Sequence, residues 1–480
     1  NGEIYNYREL KKTLLSLGYK FKTKTDVEVV LHGYIEWGEA LWNKLNGIFA
    51  IALYDRKKNK IFLVRDHLGV KPLHYLNIGN KLYFGSDYTS FLNIHSYKNK
   101  MNNSALISYL SFRYVVGKQT FYNNIFDVLP GTSVLCDENQ IKEDQYWDIP
   151  IEIGNDQGSE YYLHEIDRLI NESVKKQMIS DVPLGAFLSG GIDSSTIVSL
   201  MQSQSIHPIK TFTIGFNEDN YNEAQYAQKI AKHLGTDHTE IYFSSKTALE
   251  IIPKLPIIHD EPFSDSSQIP SFLLSQLANK QVKVALSGDG GDELFCGYNR
   301  YIMNKKFSNI FRLMPFFFRK ILSDRLELIS TKNWNKMANL IPASNQYSNF
   351  GDKMHKAVDV LKAKNLDDFY YKLCSHWQNP TELVVDCKEP GTFLTEHKPN
   401  LEGLNSQQKM MALDFLTYLP DDILVKVDRA AMASSLETRV PFLNHKLIEY
   451  VWKIPHHLKF RNGQGKWILK QILNKYVPES

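Results

Sequence analysis

Apolar and polar positions divide the chain into two parts with different rhythms. In the first, Leu10, Leu14 and Leu17 share one helical stripe that Gly18 ends, and 27–36 continues as a second helical run. Short strands are predicted at 47–55, 60–66, 74–78 and 81–86, with turns at Lys57 to Asn59 and at Gly79-Asn80. The run Ile61, Phe62, Leu63, Val64 is apolar on both faces, so that sheet should be covered on both sides. These elements describe a small α+β domain over residues 1–135, its last turn at Pro130-Gly131. Residues 136–160, of mixed polarity and punctuated by Pro150 and Gly154, read as a linker.

Over residues 161–480 strands and helices alternate. A helix is predicted at 161–178, a buried strand at 184–188 and a helix from Asp193 with Ile197, Leu200 and Met201 on one face. A strand at 211–216, a helix at 222–234 ended by Gly235, and a strand at 238–243 follow. Ala224, Ala227, Ile230, Ala231 and Leu234 line one face of that second helix. Such alternation implies right-handed βαβ units, a parallel sheet and ligands at the strands' carboxyl ends. Residues 300–410 read as mostly helical, with aromatic clusters such as Leu313 to Phe318 taken as core. The most apolar segment, 310–322, holds Arg312, Pro315, Arg319 and Lys320. It is too short and too charged to span a bilayer and reads as a buried or half-buried helix.

Composition narrows the function more than the fold. The chain has 480 residues, enough for two domains, and a net charge of +3 with no block of like charges. Neither a nucleic-acid nor a membrane partner is expected. Four scattered cysteines, Cys136, Cys296, Cys374 and Cys387, form no C-x-x-C pair. That pattern points to a reducing, cytoplasmic setting and away from zinc, iron–sulfur or disulfide frameworks.

Two stretches carry candidate chemistry. At Ser189-Gly190-Gly191 a strand meets a helix through a turn without bulk, so its N–H groups and the helix dipole favour an anion. Asp193, with Ser194 and Ser195, follows at once; a carboxylate beside phosphates requires a divalent cation between them. The second stretch, Ser287-Gly288-Asp289-Gly290-Gly291-Asp292-Glu293, repeats the design, and its three acids would repel one another without a cation. Asp193 and Asp292 are the expected Mg2+ ligands. Asp422 and Lys426, four apart, read as a helix-surface ion pair, and Glu437 with Arg439 as structural.

The first stretch resembles the PP-loop of ATP pyrophosphatases, which cleave ATP between its α and β phosphates. That resemblance places Ser189, Gly190, Gly191, Asp193, Ser194, Ser195, Ser287 and Gly288 around ATP, with Phe187 and Ile214 flanking adenine. Asn1-Gly2-Glu3, Thr25-Asp26 and Arg65-Asp66-His67-Leu68-Gly69-Val70-Lys71-Pro72 resemble the glutaminase domain of class II amidotransferases. The resemblance implies an N-terminal-nucleophile αββα sandwich. Within it, Asn1 and Gly2 donate to the oxyanion, and Glu3 and Asp26, together with Asn1 and Gly2, bind glutamine. That family uses an N-terminal cysteine, and none precedes Cys136, so the chain is expected to be a fragment of a longer protein. The strings 419–432 and 435–443 are similar to the C-terminal signature of asparagine synthetases. Asp289 then sits where that family places an acid near the acyl-adenylate, and Lys466 where a lysine reaches the phosphates.

The resemblance implies ATP, Mg2+, aspartate and glutamine or ammonia as ligands, and leaves a homodimer open. The rival readings are an amidotransferase for a sugar uronate, a cyclase of the β-lactam synthetase kind and a non-catalytic nucleotide-binding paralogue. A tRNA-modifying PP-loop enzyme is disfavoured by the lack of a basic patch.

Overall fold

The structure, a computed structural model, describes residues 1–138, 140–151, 154, 156–216, 223–338, 350–377, 379–385, 387, 399 and 401–478. In the first part, strands β1 (Gly2–Ile4), β2 (Gly47–Asp55), β3 (Lys60–Arg65), β4 (His74–Ile78), β5 (Lys81–Gly85), β6 (Ile125–Asp127), β7 (Thr132–Cys136) and β8 (Ile141–Gln145) build two antiparallel sheets. Their orders are β1-β2-β3-β7-β8 and β5-β4-β6. Strand alternation explains why both faces of β3 are apolar. Phe62 and Val64 pack with Val30, Leu41 and Trp42 beneath the helix Asp26–Trp37 and the turn that follows it. Leu63 and Ile61 instead meet Leu73, Tyr75 and Phe126 of the second sheet. On the outer face of that second sheet, Leu76 and Ile125 pack with Phe91 of the short helix Thr89–Leu92. Helix, sheet, sheet, helix is the predicted layering.

The stretch 136–160 differs from expectation, because β8 pairs with β7 from Thr132↔Gln145 to Cys136↔Ile141. All five residues of β8 are exposed. A solvated edge strand lacks the apolar alternation that marks a strand in sequence.

The second part is a five-stranded parallel sheet in the order β11-β10-β9-β12-β13. Its strands are β9 (Leu184–Phe187), β10 (Lys210–Phe216), β11 (Asp237–Phe243), β12 (Val284–Leu286) and β13 (Glu437–Arg439). Ala186, Leu286 and Val284 are buried between helices that include Ser159–Gln177 and Ile192–Ser203. The helix expected at 222–234 runs Ala224–Leu234 and stops at Gly235, whose φ is 71°; residue 222 lies outside the described residues. β13, supplied by residues far down the chain, closes the sheet beside β12.

Two expectations fail in the C-terminal part. The segment 310–322 is broken at Pro315 into the helices Asn299–Leu313 and Phe316–Glu327, and Phe316, Phe317 and Phe318 are exposed rather than core. Asp422 and Lys426 do not pair across a helix surface. Leu419–Ile423 is wound as a π-helix, which shifts the phase of the following helix Leu424–Met432, and Lys426 instead meets Asp265 at 3.2 Å. Among the described residues no helix is long and apolar enough to cross a membrane.

The two parts are joined by polar contacts that the 65–72 motif aims. Asp66 accepts backbone N–H bonds from Phe49, Leu68, Val70 and Lys71 at 2.9–3.2 Å. Arg65 donates to the carbonyls of Gly69, Lys71 and Val128. The loop so fixed sends the buried Lys71 ammonium to Asp428 at 2.8 Å. Arg429, on the same helix as Asp428, bonds Ser86 O at 2.9 Å and Asp260 at 3.2 Å.

Candidate functional site

Strands β9 and β12 are parallel neighbours in register, Ala186 opposite Leu286, so the two glycine loops emerge side by side at their carboxyl ends. The loops touch: a Cβ on Gly288 would lie 2.7 Å from Ser194 N, and one on Gly291 2.5 Å from Asp193 Cγ. Gly288→Ala should therefore push the loops apart and lower nucleotide-dependent turnover about 10²-fold with the fold retained, measured by steady-state AMP release and circular dichroism. A variant as active as the parent would show that loop contact is not needed.

Between the loops opens a cavity of about 570 Å3. Phe187, Ser189, Asp193, Ser194, Ile214, Ser287, Gly288, Asp289 and Asp292 line it. Gly190, Gly191 and Ser195 do not. Gly190, at φ 80°, is fixed by its approach to the helix Ala224–Leu234, where a Cβ would meet Ala227 N at 2.7 Å. Gly191 caps the helix Ile192–Ser203, whose N-terminus carries no side-chain cap, and Ser195 is buried inside that helix. The first-turn N–H groups of this helix are thus available to an anion.

Lys466 joins the two acids expected to hold a metal. Its Nζ lies 2.5 Å from Asp193 Oδ2 and 2.7 Å from Asp292 Oδ1. The lysine stem passes where Gly297 lacks a side chain, since a Cβ there would lie 2.2 Å from Lys466 Cε. Lys466 also adopts φ 58°, a left-handed conformation that costs about 1–2 kcal/mol in a residue with a Cβ. Its N–H is anchored to Phe295 O at 2.8 Å.

Burial raises the Asp193 carboxyl to about 7 against the pull of Lys466, and its Oδ1 has no hydrogen-bond partner. An orphaned buried oxygen fits a cation. No group of three or more His, Cys, Asp or Glu able to hold a metal occurs among the described residues. A cation at Asp193 and Asp292 would draw its other ligands from phosphates and water, the usual habit of Mg2+.

Two acids of the second loop meet groups from other segments in the cavity wall. Asp289 accepts from Ser287 Oγ at 2.8 Å, and burial raises its carboxyl. Glu293 accepts from Tyr298 OH at 2.6 Å and is pushed by burial to about 8. Asp265, Lys426 and Tyr418 complete this end. Glu293 was visible as an acid of the second loop; Asp265, Tyr298 and Tyr418 come from separate segments that only folding brings together.

In the first part, Asn1 Nδ2 donates to Ser86 Oγ at 3.2 Å. Gly2, at φ 117°, lies so close to β2 that a Cβ would fall 2.0 Å from Ile48 O. Asp26 Oδ2 accepts the Ile4 N–H at 3.1 Å, tying the second helix to β1. Glu3 is raised to about 7, chiefly by burial, although Arg439 lies 3.9 Å away. Arg439 itself pairs with Glu437 at 2.7 Å and caps the carbonyls of Gln177 and Ile179, the structural role expected of it.

An αββα sandwich set against a parallel sheet with paired glycine loops defines an amidotransferase domain coupled to a PP-loop domain. A model of the Asparagine synthase family matches residues 165–480, and one of the Glutamine amidotransferase domain matches residues 1–147. The chain belongs to the asparagine synthase family. Asparagine synthetase [glutamine-hydrolyzing] 1 of Bacillus subtilis (strain 168) is 32% identical over 490 residues, covering 100% of this chain and 73% of that protein. Putative asparagine synthetase [glutamine-hydrolyzing] 2 of Methanocaldococcus jannaschii is 33% identical over 447 residues, covering 92% and 82%. A solved glutamine phosphoribosylpyrophosphate amidotransferase from B. subtilis aligns over 52% of this chain and 49% of that one at 14% identity, with a TM-score of 0.24.

Proposed function

We propose that this protein converts aspartate to asparagine at the cavity between the two glycine loops. ATP adenylates the β-carboxylate, ammonia attacks the β-aspartyl-AMP, and asparagine, AMP and pyrophosphate are released. The observation that carries this reading is Lys466 held between Asp193 and Asp292 beside an uncapped helix N-terminus. Ser189, Ser194, Ser287 and the loop N–H groups bind the phosphates, and Phe187 and Ile214 flank the base. Mg2+, held by Asp193 and Asp292, would neutralise charge on the departing pyrophosphate. Lys466 stabilises charge that builds on the phosphates as the carboxylate attacks. Asp289 faces the acyl group and the incoming nitrogen. In the first domain, Asn1 and Gly2 donate to the oxyanion formed during glutamine hydrolysis, while Glu3 and Asp26 hold the glutamine α-carbon groups.

ATP–pyrophosphate exchange tests the acceptor, with ammonium chloride then supplied to read AMP and asparagine formation. Exchange driven by aspartate and absent with uronic acids is expected. Exchange with uronic acids alone would move the assignment to a sugar amidotransferase, and nucleotide binding without AMP release would make the chain a non-catalytic binder.

A further inference from the structure

A second cavity, of about 270 Å3, opens at the junction of the two parts and shares no lining residue with the one between the glycine loops. One side is built by the 65–72 loop and β8, the other by residues 415–421. Its space is that of about nine water molecules at about 30 Å3 each.

His67 stands on its wall. The residue is 3% exposed, and the rings of Phe49, Tyr146, Trp147 and His445 pack around it. Neither ring nitrogen has a hydrogen-bond partner among the described residues. Burial and the stacked His445 hold the imidazole well below its ordinary value, so it is neutral, with one N–H and one lone pair unused. A buried polar group left unpaired is costly, and on a cavity wall a ligand can complete it.

Asp148 and Asp421 line the same space. Each carboxyl accepts one backbone N–H, from Ile149 at 2.7 Å and from Gly117 at 2.9 Å, and neither makes an ion pair among the described residues. Burial raises both carboxyls above their ordinary value. Glu143, the third acid, is by contrast paired with Lys118 and the hydroxyl of Tyr75. Trp147, Phe415 and Leu416 supply an apolar wall, the indole pinned by its Nε1 to Glu449 at 2.9 Å.

A ligand for this cavity brings positive charge to the two unpaired acids, an apolar body to Trp147 and Phe415, and a hydroxyl or amide to His67. The acids repel a carboxylate or a phosphate, which excludes aspartate, glutamine and ATP. We propose that the cavity binds a small organic ammonium ion of about ten non-hydrogen atoms, apolar in its body and carrying one hydroxyl or amide group. Bound there, the amine bridges the two parts without entering the catalytic cavity.

Isothermal titration calorimetry of the full-length protein with tyramine tests this. Tyramine should bind saturably with a dissociation constant below about 1 mM, equally with and without ATP. Tyrosine, which adds only a carboxylate, should give no measurable heat. Asp421→Asn keeps an acceptor for the Gly117 N–H and should weaken tyramine at least about tenfold. Leu416→Trp, which fills the space, should abolish binding, with the circular dichroism of both variants unchanged. His67→Phe should weaken tyramine and leave phenethylamine, which lacks the hydroxyl, unaffected. No saturable heat from tyramine up to about 10 mM would overturn the proposal. So would equal binding of tyrosine, displacement of tyramine by ATP, or binding indifferent to both Asp421→Asn and Leu416→Trp.

Discussion

Lys466→Met should lower the rate of aspartate-dependent AMP formation by about 10³-fold, the scale on which removing one positioned charge-stabilising donor acts. The expectation follows from how much structure fixes this one side chain. Its backbone is held at φ 58°, its N–H is bound to Phe295 O, and its stem occupies the slot left open at Gly297. Its ammonium bridges acids from two separate loops, Asp193 and Asp292. Lys466→Arg should not recover the rate, because a broader planar head does not fit the same slot. Rapid-quench measurement of the first turnover separates this effect from product release. A Lys466→Met enzyme within tenfold of the parent would remove Lys466 from the chemistry.

The second large effect is on stability. Lys71→Met should cost about 3–5 kcal/mol, because it leaves the Asp428 carboxylate buried and uncompensated at the junction of the two parts. Burial opposes the Lys71 charge, but Asp428 prevails and holds the ammonium above its ordinary value. Differential scanning calorimetry should read a fall in Tm of about 10 °C for the transition that includes the interface. Asp428→Asn should act in the same direction, and Lys71→Met combined with Asp428→Leu should recover most of the loss, since an apolar pair needs no counter-charge. If the double variant is as unstable as the sum of the singles, the two side chains do not act as a pair.

The 65–72 string shows how a motif is legible before its purpose is. Its residues marked a family resemblance in sequence, yet in the structure Arg65 and Asp66 bind mostly backbone and their effect is to aim Lys71 at a helix more than 350 positions away in sequence. Asp422 and Lys426 teach the opposite lesson. Four-residue spacing predicts a pair only when the helix keeps its phase, and the π-turn at Leu419–Ile423 breaks it. In sequence the run Phe316 to Phe318 reads as core because apolar residues are usually inside; in the structure Pro315 restarts the helix and the inward positions fall to Arg319 and Ser323.

By itself the sequence determined what is encoded within a few turns of chain: the strands with their apolar periods, the glycine loops that only small residues can form, the acids at their helix starts and Lys466. The continuous apolar run in β3 also required cover on both faces of its sheet, while the αββα layering came from the resemblance to class II amidotransferases. Tertiary structure alone decided that Lys466 reaches both loops, that Asp265, Tyr298 and Tyr418 share their cavity, and that Lys71 finds Asp428. These are contacts between segments far apart in the chain, and no local period records which distant partner the packing of β9 against β12 will bring near.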